Sequence, residues 1–202
     1  MKQIICIHGW HIWKNKKEYR QYLQNREYNP REINTLNRKE NLQTALGRQY
    51  IICRPTMPCK QHATYTEWKI RFEKIVNHPQ TQDNLILIGH SLWAIFLVKR
   101  LSKHTSPKSI AQLHLVAPAR DSEKHKLYTF ATKKKDMKRI TKQVPDIHIY
   151  HSTDDPVCDY TDSELIHSLL HWSMLHRLQN MWHIRQEHFP QLIQSIKKVQ
   201  LK

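Results

Sequence analysis

A strand that turns directly into an apolar helix is the feature that most constrains this chain. Residues 85–88 are four consecutive apolar residues, typical of a strand covered on both faces of a parallel sheet. The chain turns at Gly89 and continues as an apolar segment of helix length to about residue 104. Ser91 lies in this turn, which is the setting of the nucleophile elbow G-x-S-x-G. The second glycine of that pattern is replaced by Trp93, and a chance Gly-His-Ser in an ordinary turn is the alternative interpretation.

The turn is suited to nucleophilic chemistry. Its strained backbone raises the Ser91 hydroxyl above the edge of the sheet. The N-terminus of the following helix and the N–H of Leu92 favour the negative charge that develops when the hydroxyl oxygen attacks a carbonyl. We therefore predict that Ser91 is a nucleophile and that Leu92 supplies one donor of an oxyanion hole.

The order of the apolar segments predicts an α/β architecture. The chain has 202 residues, of which 39% are hydrophobic, so it is long enough for one well-buried domain, residues 1–202, and short for two. Strands that alternate with helices favour a mostly parallel sheet with helices on both faces. The basic segment 121–144 lacks strand character, and we expect either a helix or a small cap there. The predicted strands are 3–8, 49–53, 85–88, 111–116, 147–151 and 174–178. The predicted helices, besides the one after the elbow, are 63–76, 164–172 and 190–199, and residues 17–24 form an amphipathic segment.

The sequence gives no sign of export, of a membrane span or of a metal centre. The longest apolar run near the elbow, residues 93–98, is far too short to cross a membrane. The N-terminus lacks the features of a secretory signal and is typical of a first strand. The four cysteines show no C-x-x-C spacing, and the 15 histidines show no metal-binding spacing. We expect a cytoplasmic protein with reduced thiols, no metal and no cofactor.

The net charge of +16 raises the possibility of an anionic partner, either a nucleic acid or a membrane surface. The basic residues are spread along the chain, with local runs only at 14–17 and 133–139. No aromatic-interleaved strand or recognition helix accompanies them. Solvated basic faces are therefore the favoured interpretation, and nucleic-acid binding is an alternative that charge alone supports.

Two further polar groups follow predicted strands. In a parallel sheet, functional side chains gather beyond the carboxyl ends of the strands. Asp155 follows the strand at 147–151, and His183 follows the last strand. A serine hydroxyl needs a histidine to take its proton, and that histidine needs a buried carboxylate to orient it. Asp155 alone would be interpreted as a helix cap, but Ser91, Asp155 and His183 occur in the order of the α/β-hydrolase catalytic triad.

These motifs resemble the small single-domain serine hydrolases of the α/β-hydrolase superfamily, the group that includes retinoblastoma-binding protein 9 and its bacterial relatives. The family pattern runs H-G-G or H-G-W, then M-P, E-W, G-H-S-L-G-G, H-S-x-D-D-P-V-V-P and G-H-F. This chain has H-G-W at 8–10, M-P at 57–58, E-W at 67–68, G-H-S-L-W at 89–93 and H-S-T-D-D-P-V at 151–157. The resemblance spans nearly the whole chain, and it is specific because five separate motifs agree in order and spacing.

The resemblance implies an α/β-hydrolase fold with a minimal cap or none, and a serine hydrolase without a cofactor. Ser91 would be the nucleophile and Asp155, the aspartate before proline, the acid. The reaction would be cleavage of an ester, with an amide or peptide less favoured, through an acyl-enzyme. The N–H of Trp10, after the first strand, would join Leu92 in the oxyanion hole. The partner would be a small-molecule ester or acyl substrate, while the oligomeric state is not predicted.

Two histidines compete for the role of base. His188 is followed by phenylalanine, as in the family motif G-H-F. However, several bacterial relatives continue the motif as N-Q-E-E-F-P-E-L, and residues 186–192 align better with the Q-E-E-F-P-E-L part of it. This alignment places residues 182–184 on G-H-F. His183 also lies just after the last predicted strand, whereas His188 falls at the start of the closing helix. We therefore favour His183.

Where the family pattern has glycine, this chain has tryptophan at positions 93 and 182, and also at position 10 if the first motif is taken as H-G-G. The chain contains only 3 glycines, although a fold with many strand-to-helix turns needs them for positive φ. Either Trp93 and Trp182 are genuine and overfill the site of a damaged hydrolase, or UGA codons for glycine were translated as tryptophan, since some bacteria read UGA as glycine. In both cases we expect the chain as written to be less active and less stable than its Trp93→Gly, Trp182→Gly variant. A catalytically impaired interaction protein on a hydrolase fold remains the main alternative function.

Overall fold

The computed structural model describes residues 2–7, 14–25, 42–55, 57–58, 62–122, 126–184 and 189–198. The strands are β1 (Lys2–Ile7), β2 (Tyr50–Cys53), β3 (Leu85–His90), β4 (Ile110–Val116), β5 (Asp146–Ser152) and β6 (Met174–Leu178). The helices are α1 (Lys16–Asn25), α2 (Leu42–Leu46), α3 (Tyr65–Val76), α4 (Leu92–Lys103), α5 (Lys138–Thr141), α6 (Tyr160–Leu169) and α7 (Pro190–Lys197). Each predicted strand is present to within two residues at either end.

The described strands form one six-stranded sheet in the order β2-β1-β3-β4-β5-β6. All five neighbouring pairs are parallel. The predicted mostly parallel sheet is therefore confirmed for the described residues. Because parallel strands end at one edge, the segments that follow β3, β5 and β6 emerge on the same side of the molecule.

The alternation of side chains in each strand supplies two hydrophobic cores. In β3, Leu85 and Leu87 pack into the cluster formed with α3, α4 and α6. Ile86 and Ile88 of the same strand pack into the second cluster, with α2 and α7. The four-residue apolar run is thus explained by burial of both faces of a central strand.

The connection between β4 and β5, where we expected a helix or a small cap, contains several short helical segments. Its described residues form two short 3-10 turns, Tyr128–Phe130 and Lys134–Asp136, followed by α5. Phe130 and Ile140 are fully buried in the core cluster shared with α3 and α4. These apolar side chains anchor the segment to the main core, so the described part of the connection is a packed extension of the domain.

Helix α3 brings an aromatic group against α4. Thr64 caps its N-terminus: Oγ1 accepts from the Glu67 N–H at 3.4 Å and donates to the Glu67 carboxylate at 2.9 Å. Trp68 is fully buried, and its Nε1–H donates to Pro58 O at 3.0 Å. Phe72, one turn further on, packs edge-on to Phe96 of α4, with 5.5 Å between ring centroids.

The second face of the sheet carries a stack of histidines, which we name the histidine stack: His114 of β4, His148 of β5 and His176 of β6. The ring centroids of His114 and His148 are 5.0 Å apart, and those of His148 and His176 are 5.2 Å apart. His148 Nε2 donates to the Asp146 carboxylate at 2.9 Å, and its Nδ1 lies 2.9 Å from His176 Nε2. Burial lowers the pKa of His114 well below its usual value and that of His176 to about 4.

No helix in the described part of the chain is long and apolar enough to cross a membrane.

Candidate active site

Ser91 occupies a strained turn between β3 and α4. Its φ of 57° and ψ of −125° lie in a region that non-glycine residues rarely adopt. The Ser91 N–H donates to Val116 O of β4 at 2.8 Å, which holds the turn to the sheet. At Gly89 an added Cβ would lie 2.7 Å from the backbone N of Ala94, so only glycine allows the helix to cross the strand this closely. The elbow predicted from the sequence is therefore present in the backbone.

Leu92 is the first residue of α4. At this position the backbone N–H has no acceptor within the helix, and the positive end of the helix dipole lies beside it. The N–H next to Ser91 is thus available for an oxyanion that forms at the serine. Trp10, the second predicted donor, lies outside the described residues.

Asp155 follows β5, and its side chain is fully buried. Its Oδ1 accepts from the N–H groups of Val157 at 2.8 Å and Cys158 at 3.0 Å. Its Oδ2 accepts from His183 Nδ1 at 2.8 Å. The Asp-Pro turn therefore holds the carboxylate rigidly, with one oxygen bound by the backbone and the other directed at the histidine.

The surroundings of Asp155 keep it ionised. Burial by itself would raise the pKa of this carboxyl group. Hydrogen bonds from His151, His183 and the two backbone N–H groups outweigh burial and place the pKa far below its usual value. A charged carboxylate is therefore available to orient a histidine and to stabilise its cation.

The preceding residue, Asp154, has a different environment. It is exposed, and its carboxylate accepts from the hydroxyl of Ser152. This hydrogen bond lowers the pKa of Asp154. Of the two adjacent carboxylates, Asp155 is the one in contact with His183.

His183 lies in a tight turn after β6, closed by a hydrogen bond of 2.8 Å from Ile184 N–H to Met181 O. The His183 ring is buried, which excludes water from its bond with Asp155. His90 Nε2, one residue before Ser91, donates to His183 O at 2.8 Å, and the two rings are 4.8 Å apart. The turns that carry the serine and the histidine are thus directly bonded to each other. The competing histidine, His188, lies outside the described residues.

Two site residues were not predicted as such from the sequence. His90 joins the serine turn to the histidine turn, and His151 Nε2 lies 3.2 Å from Asp155 Oδ2. Both residues belong to motifs that carry the family resemblance, but neither of them was assigned a role in the site from the sequence alone. Their position immediately before Ser91 and four residues before Asp155 was the available signal.

In the described residues, no group of three or more histidine, cysteine or acidic side chains is arranged to hold a metal ion.

Comparison with known proteins places the chain in a family. The family model described as serine hydrolase matches residues 38–197, most of the chain. A search of curated proteins found no match.

Several solved structures share the fold at low sequence identity. The product of the ydeN gene from B. subtilis has a TM-score of 0.68 at 13% identity, with 98% of both chains covered. The meta-cleavage product hydrolase CumD from Pseudomonas fluorescens has a TM-score of 0.66 at 11% identity, with 99% of this chain and 92% of the other covered. The esterase EaEST from Exiguobacterium antarcticum has a TM-score of 0.59 at 13% identity, with 98% and 92% covered. With the parallel sheet and the elbow, these matches identify an α/β-hydrolase fold, and the chain belongs to the serine hydrolase family.

Proposed function

We propose that Ser91, His183 and Asp155 form a catalytic triad that cleaves a carboxylic ester through an acyl-enzyme. The observation that carries the proposal is the 2.8 Å bond between His183 Nδ1 and Asp155 Oδ2, beside the strained turn of Ser91. The bond requires that Nδ1 holds the proton, because a carboxylate only accepts. In the neutral ring His183 Nε2 therefore carries no proton and can act as the base.

Acylation follows from this arrangement. Ser91 Oγ attacks the ester carbonyl while its proton passes to His183 Nε2. Asp155 stabilises the resulting imidazolium. The tetrahedral intermediate collapses as the C–O bond to the alcohol breaks, and His183 returns the proton to the departing alkoxide. The products of this half-reaction are a free alcohol and an acyl group on Ser91.

Deacylation repeats the same steps with water. His183 takes a proton from water as the water oxygen attacks the acyl carbonyl. Collapse of the second tetrahedral intermediate breaks the bond to Ser91 Oγ, which regains its proton from His183. A carboxylic acid leaves, and the enzyme returns to its starting state.

The N–H groups of Leu92 and Trp10 are proposed to bind the oxyanion in both steps. Donors of this kind bind the charged oxygen of the intermediate more strongly than the neutral carbonyl of the substrate, and loss of one typically costs about 3–4 kcal/mol of transition-state stabilisation. The proposal for Leu92 is supported by its place at the first position of α4.

An ester is the proposed substrate class for two reasons. One of the structures that share the fold is an esterase. An alcohol also leaves from a tetrahedral intermediate more readily than an amine does, so esters are cleaved more easily than amides by the same triad. The sequence motifs further support a carboxylesterase-like member of the group related to retinoblastoma-binding protein 9.

Labelling with a fluorophosphonate probe tests the proposal, because the probe reacts only with an activated serine. We expect covalent labelling of the full chain and none of Ser91→Ala. Ser102→Ala is the matched control, since Ser102 is a buried serine of the same helix whose hydroxyl donates to Lys99 O at 2.9 Å.

The control variant should be labelled like the original chain. Equal labelling of the original chain and Ser91→Ala would exclude Ser91 as the nucleophile. Absence of labelling in a folded original chain would instead favour the non-catalytic interaction protein. Release of p-nitrophenol from p-nitrophenyl acetate then tests whether an ester is a substrate.

A further inference from the structure

Asp155 has two histidine partners on one carboxylate oxygen. His183 Nδ1 lies 2.8 Å from Oδ2, and His151 Nε2 lies 3.2 Å from the same atom. The side chains of His151 and Asp155 are both fully buried. The triad described above uses only the first of these contacts.

The hydrogen-bond partners of His151 determine its tautomer. Nε2 faces Asp155 Oδ2 and also Cys158 O, at 3.0 Å, and both of these oxygens only accept. Nε2 therefore carries a proton, which it donates to Cys158 O with Asp155 Oδ2 3.2 Å away. Nδ1 lies 2.6 Å from Ser163 Oγ on α6. In the neutral ring Nδ1 accepts from this hydroxyl, so α6 orients the ring that holds the carboxylate.

We propose that His151 is a positioning residue for catalysis: it fixes Asp155 through the oxygen that also binds His183, and it shares the negative charge of that oxygen. This inference rests on the proposed triad. A carboxylate oxygen whose negative charge is partly balanced by one N–H group attracts a second, positively charged partner less strongly. His151 therefore sets how strongly Asp155 stabilises the His183 imidazolium, and the chain Ser163–His151–Asp155–His183 links α6 to the base.

Few other polar or charged groups of the described residues face the series of side chains from Ser163 to His183. His90 of β3 donates to His183 O, a bond that the ring makes whether it is neutral or charged. Tyr160 of α6 contacts His151 edge-on, at 5.8 Å between ring centroids, and Arg177 of β6 lies over the Tyr160 ring. Asp154 has its own partner, Ser152. Asp155 is thus the carboxylate that His151 and His183 share.

The test compares three variants with the full original chain. His151→Met removes the donor and keeps an apolar side chain of similar length, whereas His151→Gln keeps an N–H donor at the position of the imidazole Nε2. His167→Gln is the matched control, since His167 has a similar bond of 2.8 Å from Nδ1 to Ser173 Oγ outside the site. The readouts are kcat, KM and the pH profile of kcat/KM with p-nitrophenyl acetate.

We expect His151→Met to lower kcat by about tenfold or more with little change in KM, since a displacement of around 1 Å at a catalytic group can cost about a hundredfold. The acid limb of its kcat/KM profile should move to higher pH, because Asp155 then attracts the imidazolium more strongly. His151→Gln should restore most of both properties, and His167→Gln should match the original chain.

Unchanged kcat and an unchanged acid limb in a folded His151→Met would overturn the inference. Equal losses in the Met and Gln variants, with no movement of the acid limb, would also overturn it, because they would indicate packing alone. If His151→Met does not fold, Ser163→Ala removes the hydroxyl that orients the ring, and it should lower kcat in the same direction by a smaller factor.

A separate readout distinguishes failure of this inference from failure of the proposed function. If the folded original chain neither reacts with a fluorophosphonate nor hydrolyses the ester, the proposed function fails. The NMR titration of the His183 ring still reports on the coupling. A midpoint that moves upward in His151→Met and returns in His151→Gln supports the positioning role, and identical midpoints in all three proteins refute it.

Discussion

The indoles of Trp68 and Trp93 are stacked, with ring centroids 4.6 Å apart and planes 14° from parallel. Trp93 is fully buried and also contacts the ring of Phe96, at 4.5 Å between centroids. From the sequence we expected a genuine Trp93 to overfill the site, but its ring packs in the hydrophobic core against aromatic side chains of α3 and α4. The close approach of helix and strand is made by Gly89 and Ala94, while Trp93 joins the aromatic group on α3.

Removal of the Trp93 ring should therefore destabilise the chain. Truncation of a buried tryptophan costs about 3–5 kcal/mol, and glycine within a helix costs about 1 kcal/mol more. We expect Trp93→Gly to lower the free energy of unfolding in urea by about 4 kcal/mol or more. This expectation is the opposite of the gain in stability that the sequence alone predicted for glycine at position 93.

Trp93→Phe is the control for the stack. Among the described residues the buried Trp93 Nε1 has no hydrogen-bond partner, and phenylalanine removes this group while keeping an aromatic ring. The free energy of unfolding should fall much less in Trp93→Phe than in Trp93→Gly. Equal losses in the two variants would contradict the role assigned to ring packing.

Two other tryptophans occupy backbone positions that favour glycine. Trp172 has a φ of 71° and is 92% exposed, and Trp182 has a φ of 48° and is 68% exposed. A left-handed conformation costs a residue with a Cβ about 1–2 kcal/mol, part of which glycine recovers. We expect Trp172→Gly and Trp182→Gly each to raise the free energy of unfolding by up to about 1 kcal/mol, measured in urea. The alanine variants keep the Cβ and should show no such gain.

The same backbone angles bear on the origin of the tryptophans. If UGA codons for glycine were translated as tryptophan, they should occur where the backbone needs glycine. We therefore expect UGA in the genomic sequence at codons 172 and 182, and the elbow motif extends this expectation to codon 93. UGG at codons 93 and 182 would refute the recoding hypothesis and leave a hydrolase with genuine tryptophans in its turns.

The two aspartates after β5 should differ sharply in their effect on catalysis. Asp155→Asn keeps the shape of the side chain but removes the charge that stabilises the His183 cation and selects its tautomer. A change of this kind in a catalytic triad lowers kcat by about 10⁴-fold. Asp154→Asn alters an exposed carboxylate bonded to Ser152, and we expect less than about a tenfold loss. Similar losses in both variants, measured by ester hydrolysis, would contradict the assignment of the acid.

The histidine stack predicts that stability depends on pH. In the unfolded chain a histidine has a pKa of about 6.5, whereas burial and the neighbouring His148 and Lys198 lower the pKa of His176 to about 4. Between these values the unfolded state binds more protons, so the free energy of unfolding falls as pH decreases from about 6.5 to about 4. His114, whose pKa is also lowered, adds to this loss.

The pH dependence is checked by urea unfolding at pH 7 and pH 5. His176→Gln keeps a hydrogen-bonding group near His148 but does not titrate. The stability difference between the two pH values should be smaller in this variant than in the original chain. An equal difference in both proteins would show that His176 does not contribute.

The sequence by itself determined the features that depend on local burial and local backbone geometry. The apolar run of β3, Gly89 and Ser91 predicted the elbow, because a buried strand, a close crossing and a strained turn each restrict the residue at one position. The places of Asp155 and His183 after strands followed from the chain order, since parallel strands end at one edge of the sheet.

The tertiary structure decided what depends on contacts between distant segments. The second histidine on Asp155 depends on the orientation that Ser163 of α6 gives to His151, and the histidine stack depends on the register of three neighbouring strands. The direction of the Trp93 ring was decided by the aromatic side chains of α3. Period and spacing within one segment carry no information on which other segment packs against it, so these relationships become visible only when the chain is folded.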